Sequence, residues 1–238
     1  MARMPPPRKP RLFYGYWIVL VGFLCVFLTM GCGNFIFSLF VKSLQTDLGW
    51  SRGEIMTAFT IFFLIMGIAS PFIGRLVDRY GPKGVILSGA LLMGLGFLLL
   101  SVMKALWCFY LGYAIIGIGA AAMGAIPASA VVSNWFKRKR GTAIGIMSSG
   151  IGAGGLVLSP IVGGWLIPNL GWRHSYLALA ILIWVLIIPL ALLIVKTKPA
   201  DMGLYPDGTQ APEIDSAAPG PRPPPPGYKT RIGPTTQA

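Results

Sequence analysis

The stretch Gly74-Arg75-Leu76-Val77-Asp78-Arg79-Tyr80-Gly81-Pro82-Lys83-Gly84 holds one acid, three bases and three glycines between two long apolar segments. Only 11% of the 238 residues of the chain are charged, and 55% are hydrophobic. A chain this apolar concentrates charge where its backbone turns at a membrane surface. The stretch is therefore predicted to form the cytoplasmic turn between the second and third spans of a helical membrane protein.

Long apolar segments recur on both sides of this turn and predict an all-α membrane protein with six transmembrane helices. The predicted spans are residues 14–41, 54–77, 85–103, 106–133, 142–167 and 174–195, with loops at 42–53 and 168–173. Ser51 and Glu54 predict a capping box at the start of the second span. Residues 1–13 and 196–238 are rich in proline and are predicted to be disordered cytoplasmic tails around a single six-helix domain, residues 14–195.

The distribution of bases predicts how the helices are oriented. Of the 20 Lys and Arg residues, only four fall in the segments assigned to the outside: Lys42, Arg52, Lys104 and Arg173. The remaining sixteen fall inside, which predicts a multi-pass protein of the plasma (inner) membrane with both termini in the cytoplasm. The net charge of +13 therefore orients helices, and no nucleic-acid partner is expected beside the lipid bilayer.

Two spans share a proline near the end of a glycine-bearing helix, Pro71 in the second and Pro160 in the fifth. Weak likeness between three-helix units is typical of an inverted repeat. We therefore expect the six helices to be arranged as a 3+3 inverted repeat.

The charged turn has the pattern G-x-L-x-D-R-x-G-x-K, formed by Gly74, Leu76, Asp78, Arg79, Gly81 and Lys83. Glycine at 74 would allow a close helix approach and glycine at 81 a tight turn. To remain charged beside lipid, the Asp78 carboxylate would need a cation or a helix N-terminus close to it. Arg79 and Lys83 can instead reach water or lipid head groups. The pattern resembles the signature loop of the major facilitator superfamily. The resemblance implies that this chain is one half of that fold and that Asp78 braces a cytoplasmic gate.

A second basic turn and the helix after it, WFKRKRGTAIGIMSSG at residues 135–150, include the further gate candidate Arg140. The aromatic pair Trp135 and Phe136 is expected to anchor the fourth span at the inner interface. This segment is similar to the junction of spans 4 and 5 in the monocarboxylate-transporter and oxalate/formate-exchanger branch. Residues 49–52 and 198–208 resemble that branch too, whereas residues 155–164 resemble a signature of drug and metabolite exchangers.

The resemblance implies secondary transport of a small organic anion, a mono- or dicarboxylate, by alternating access, as an antiport or coupled to protons. The substrate of such a carrier binds near mid-membrane, where helices are broken, and the first span is predicted to break at Gly31-Cys32-Gly33-Asn34. Candidates are polar side chains on three spans: Asn34 and Ser38 on the first, Tyr113 on the fourth, and Ser148 and Ser149 on the fifth. Asn34 can equally bond another helix, and the serines can bond their own helix. No charge lies deep in a span, so an anion would need a cation from a second half or from Arg173.

Other readings remain open. The superfamily fold has two six-helix halves, so the chain is expected to need the missing C-terminal half or a second copy. It could instead be a truncated protein that does not transport, or a drug or metabolite exporter. An enzyme is not expected, since a membrane serine protease needs a deep histidine and the only one, His174, lies at the rim. The spacing of Cys25, Cys32 and Cys108 fits no metal set, and neither metal, cofactor nor catalytic residue is predicted.

Overall fold

The computed structural model describes residues 14–195, so both predicted tails and the segment 198–208 lie outside the described residues. The described part is almost entirely helical and contains no strand. Five of its helices are long and apolar enough to cross a membrane. We name the first four α1 (Gly15–Leu48), α2 (Arg52–Tyr80), α3 (Pro82–Val102) and α4 (Leu106–Trp135).

The fifth helix, Arg140–Leu193, consists of two spans. Its 54 residues would extend about 80 Å as one rod, whereas a hydrocarbon core is only about 30 Å thick. The helix is interrupted at Gly171, whose φ of 73° and ψ of 167° are not helical. We therefore describe residues 140–170 as α5 and residues 172–193 as α6, which confirms the six-helix membrane fold.

The loops are shorter than the sequence predicted. The expected loop 42–53 is wrong because α1 continues to Leu48, and Gly49, in the left-handed conformation, ends the helix. The expected loop 168–173 is wrong as well, since the single residue Gly171 makes the break. The capping box is confirmed: the Glu54 amide donates to the Ser51 hydroxyl, and the Ser51 amide donates to the Glu54 carboxylate.

The turn before α3 and the turn before α6 have nearly the same backbone. Gly81 has φ 81° and ψ 154°, close to the values of Gly171. Two residues after each glycine stands a base, and each base caps the other helix. Lys83 donates to the carbonyl of Leu192 at 2.8 Å, and Arg173 donates to that of Met103 at 2.9 Å. Such repetition between the two three-helix units is what the predicted inverted repeat requires.

Glycines set the closest helix contacts. A Cβ added to Gly154 of α5 would collide with the carbonyl oxygen of Phe27 on α1. A Cβ added to Gly89 of α3 would lie 2.6 Å from the amide nitrogen of Met123 on α4. Backbones that approach this closely gain van der Waals contact, which drives helix association in lipid.

Burial differs sharply between the helices. In the most apolar part of α4, 67% of residues are buried, but in that of α2 only 17% are. Exposed side chains of α2 include Leu64, Ile68 and Phe72. Thus α4 lies in the centre of the bundle, whereas α2 presents most of its surface outward.

Candidate functional site

The turn between α2 and α3 is a single residue, Gly81, followed by Pro82 in the first helical position of α3. The Gly81 amide donates to the Val77 carbonyl at 2.9 Å and closes α2. The predicted tight turn at Gly81 therefore agrees with the structure. The predicted close approach at Gly74 is wrong within residues 14–195, since a Cβ added there meets no atom within 4 Å. The reason is that α2 packs inward through Ile73 and Val77 instead.

The charged residues of this turn have different surroundings. Asp78 and Arg79 are exposed, and the Arg79 guanidinium lies 5.3 Å from the centre of the Tyr80 ring. Asp78 makes no hydrogen bond or ion pair with any other residue of the described range, so the cation or helix N-terminus expected beside it is not supplied there. Lys83 was expected to reach water or head groups, but its ammonium caps the C-terminus of α6 at Leu192.

The second basic turn lies at the same end of the bundle. Trp135 is fully buried and packs on Tyr14, with ring centres 5.2 Å apart, so its predicted place at the lipid interface is wrong. The Tyr14 hydroxyl donates to the Ile194 carbonyl at 2.8 Å and thereby joins the start of α1 to the end of α6. Arg140 is exposed and begins α5.

The centre of α1 contains the predicted break. Residues Gly31–Phe35 form a π-helical turn, in which the Ile36 amide donates to the Gly31 carbonyl at 3.2 Å. Such turns are frequent at functional sites because they disturb the regular backbone hydrogen bonds. Asn34 is half-buried and Ser38 is exposed. Neither side chain makes a hydrogen bond with any other residue of the range 14–195, so both can accept a hydrogen bond from a ligand or donate one to it.

Tyr113 is not available to a ligand, and its prediction as a cavity residue is wrong. Only 1% of it is exposed. Its ring packs edge-on against Phe37 and Phe109, and its hydroxyl lies 3.5 Å from that of Tyr176. The ring of Tyr176 in turn stacks on Phe40 with centres 4.1 Å apart. Tyr113 therefore belongs to the aromatic core that joins α1, α4 and α6.

The two candidate serines of α5 differ. The Ser149 hydroxyl is exposed and donates to the Ile146 carbonyl of its own helix at 2.7 Å. Ser148 is half-buried and makes no hydrogen bond within the described part of the chain. Of the five predicted cavity residues, Asn34, Ser38 and Ser148 thus keep an unused polar group.

At the opposite end of the bundle, the guanidinium of Arg173 is bonded to backbone carbonyls. It donates to the carbonyls of Met103 and Ser101, and its guanidinium lies 4.3 Å from the centre of the Trp172 ring. The Trp172 indole donates to the Asp47 carboxylate at 2.7 Å, a contact that sequence analysis missed because 125 residues separate the two. The Nδ1 atom of His174, in the first turn of α6, lies 3.0 Å from the carbonyl oxygen of Leu170 at the end of α5. Residues 14–195 contain no group of three His, Cys, Asp or Glu side chains that could hold a metal ion.

Comparisons with known proteins identify a family. The family model described as Major Facilitator Superfamily matches residues 22–228. An "MFS-type transporter" of Gibberella moniliformis is 36% identical over 168 residues, which cover 70% of this chain and 39% of that protein. The "Multidrug resistance protein MdtG" of Dickeya zeae is 36% identical over 129 residues, 53% of this chain and 31% of the relative.

A third relative, the "Fujikurins efflux protein" of Gibberella fujikuroi, is 33% identical over 173 residues, 70% of this chain and 36% of that protein. The chain therefore spans less than half the length of the relatives it matches. The matched residues make up between 31% and 39% of these three relatives.

Proposed function

Because this chain belongs to the major facilitator superfamily, we propose that it acts as one six-helix lobe of a secondary transporter that works by alternating access. Members of this family are transporters, not enzymes. The observation that carries the proposal is the π-turn of α1, where Asn34 and Ser38 leave polar groups unused near the middle of a span. A second lobe, from a C-terminal half or from another copy, would complete the cavity.

The substrate we propose is an organic compound that this lobe contacts through amide and hydroxyl groups. The apolar parts of all six spans carry no Lys, Arg, Asp or Glu. Arg173 is held by two backbone carbonyls, so it offers no free cation to an anion. Relatives named for multidrug resistance and efflux support export of such a compound.

A small mono- or dicarboxylate is the second candidate, exchanged for another solute or coupled to protons. The resemblance of residues 49–52 and 135–150 to the monocarboxylate and oxalate/formate branch favours it. This substrate would need its cation from the second lobe, because a carboxylate bound away from water requires an opposite charge.

The gate would lie at the inner face, which we place in the cytoplasm. Asp78, Arg79 and Arg140 are all exposed at that end of the bundle, and Asp78 and Arg140 have no partner within residues 14–195. Charges that have no partner within one lobe can pair with charges of the other lobe, and these pairs can separate as the two lobes move. Lys83 would act differently, as a fixed cap of α6.

Accumulation of Nile red, an uncharged dye, in cells that express the chain tests this function. We expect less dye in expressing cells than in empty cells, and Asn34→Ala should restore accumulation at equal protein level. One lost hydrogen bond is worth about 0.5–1.5 kcal/mol, or roughly 2–12-fold in affinity. Ser149→Ala is the matched control, since its hydroxyl already bonds its own helix.

Three results would decide against parts of the proposal. Equal accumulation with and without the chain would contradict transport by two copies of it and leave only a lobe that needs a separate C-terminal half. Unchanged efflux by a well-expressed Asn34→Ala variant would contradict the assigned cavity. Movement of radiolabelled lactate or oxalate in place of the dye would select the carboxylate candidate.

A further inference from the structure

A groove of about 190 Å³ lies where the end of α2 meets the start of α3. It is lined by Leu76 and Tyr80 of α2 and by Gly84, Val85 and Ser88 of α3. The lining is mainly apolar, and Tyr80 is 66% exposed. None of these five residues belongs to the candidate cavity or to the proposed gate contacts.

The groove and the gate acid lie on different faces of α2. Residues of an α-helix are rotated by about 100° each, so Leu76 and Tyr80 are only about 40° apart. Asp78, between them in sequence, is rotated by about 200° from either. The carboxylate is therefore directed away from the groove, which leaves the groove free of negative charge.

Positive charge borders the same groove. The Arg79 guanidinium lies over the ring of Tyr80, one of the lining residues, at 5.3 Å. Arg75 stands one turn earlier and lies 6.0 Å from the centre of the Phe72 ring. Both arginines are exposed, so their charges can meet a ligand at the surface.

The start of α3 adds backbone donors. No side chain caps this 21-residue helix, and its first turn contains no acid. The amides of Lys83 and Gly84, in the first turn, have no carbonyl partner within the helix. Unpaired amides and the positive end of the helix dipole favour an anion such as phosphate.

We propose that this groove binds one anionic phospholipid of the inner leaflet. An acyl chain lies along Leu76, Tyr80 and Val85, and the phosphate lies between Arg79 and the N-terminus of α3. Apolar lining, bordering cations and unpaired amides together match the two chemically different parts of such a lipid. The inference rests on the proposed function only in placing this turn at the cytoplasmic face.

Native mass spectrometry of the purified full chain tests the site. The protein is incubated with phosphatidylglycerol or with phosphatidylcholine of identical acyl chains, and the lipids retained per chain are counted. We expect one phosphatidylglycerol to be retained at several-fold lower lipid concentration than phosphatidylcholine. Equal retention of the two lipids would overturn the assigned charge recognition.

Gly84→Phe is designed to fill the groove. A Cβ at Gly84 meets no atom within 4 Å, so the ring can enter the open space without a backbone collision. We expect the retained lipid to be lost, whereas Gly164→Phe, at an equally open glycine, should retain it. Retention of phosphatidylglycerol by the folded Gly84→Phe variant would overturn the proposal. A variant that changes self-association but not lipid retention would also overturn it, because the groove would then be a contact between helices of two chains.

A second variant tests the charge without altering the groove. Replacing both Arg75 and Arg79 with Gln should reduce retention of phosphatidylglycerol to the level of phosphatidylcholine. Lys104→Gln removes a base at the opposite end of the bundle and should change the retention of neither phosphatidylglycerol nor phosphatidylcholine. Undiminished preference for phosphatidylglycerol in the double variant would contradict the site. These measurements of lipid retention do not depend on transport. The lipid site can therefore be disproved while the proposed transport function stands, and the transport function can be disproved while the lipid site stands.

Discussion

Gly81 and Gly171 are held in a backbone conformation that only glycine adopts at low cost. Their φ values are 81° and 73°, with ψ values of 154° and 167°. A Cβ in this region meets the flanking backbone, at a cost of about 1–3 kcal/mol. Each of these two residues reverses the chain without a loop, so each fixes where a pair of spans meets.

We expect Gly81→Ala to lower the free energy of unfolding by about 1–3 kcal/mol. Gly84→Ala is the matched control: it lies three residues further along, in helical backbone and open space, and should change the stability by less than about 1 kcal/mol. The midpoints of thermal unfolding in detergent measure both. Equal midpoints for the two variants would show that the turn is not strained.

Single residues also show where sequence reasoning reaches its limit. The break in α1 was predictable, because Gly31 and Gly33 stand close together beside an amide. The burial of Tyr113 was not, because a helix that is apolar on every side has no period to indicate its inner face. The same lack of amphipathic pattern hides the Asp47–Trp172 contact, which depends on how α1 and α6 pack.

At the scale of helices, the contact between α1 and α5 depends on glycine faces. Gly150 and Gly154 lie one turn apart on α5, and a Cβ on either would approach a backbone carbonyl of α1. Gly152, between them, has nothing within 4 Å of an added Cβ. One helix thus has a packed glycine face and an open one.

Gly154→Val should therefore separate α1 from α5 and lower stability by at least the 1–3 kcal/mol typical of overpacking. Gly152→Val makes the same chemical change on the open face and should leave the unfolding midpoint nearly unchanged. Thermal unfolding of both variants compares them directly. A larger loss for Gly152→Val would mean that α5 packs through its other face.

The pair α3 and α6 is joined at both ends by bases that cap helix C-termini. Arg173→Met should cost about 1.5–3 kcal/mol, since its hydrogen bonds to backbone carbonyls are partly buried. Lys83→Met should cost only about 0.3–1 kcal/mol, because that contact is exposed. The two caps lie at opposite ends of the bundle, so the double variant should show the sum of the two losses. A marked departure from additivity in chemical unfolding would contradict two independent caps.

At the scale of elements, hydropathy predicted all six spans, but not their ends. The helices extend up to seven residues beyond the predicted limits, as at Leu48 of α1. The reason is physical: a helix in a bilayer does not end where its apolar residues end, but where glycine or a cap allows the backbone to turn. Lys42, for example, lies within α1, six residues before its end at Leu48, instead of in a loop.

At the scale of the whole molecule, α2 is the least buried span, and the signature turn follows its C-terminal end. The face of α2 that holds the unpaired Asp78 is what we assign to contact with a second lobe. The face that holds Leu76 and Tyr80 would meet lipid through the groove. This division explains how one helix end can serve both a gate and the bilayer, and it depends on the turn being cytoplasmic.

The number and direction of the spans is the central claim, and impermeant thiol labelling tests it most directly. In a background with Cys25, Cys32 and Cys108 replaced by Ser, single cysteines are introduced as Asn169→Cys and Lys196→Cys. Six spans with a break at Gly171 predict that Asn169→Cys is labelled in intact cells and Lys196→Cys only in inverted vesicles. Labelling of both from the same side, or of Lys196→Cys from outside, would contradict the account.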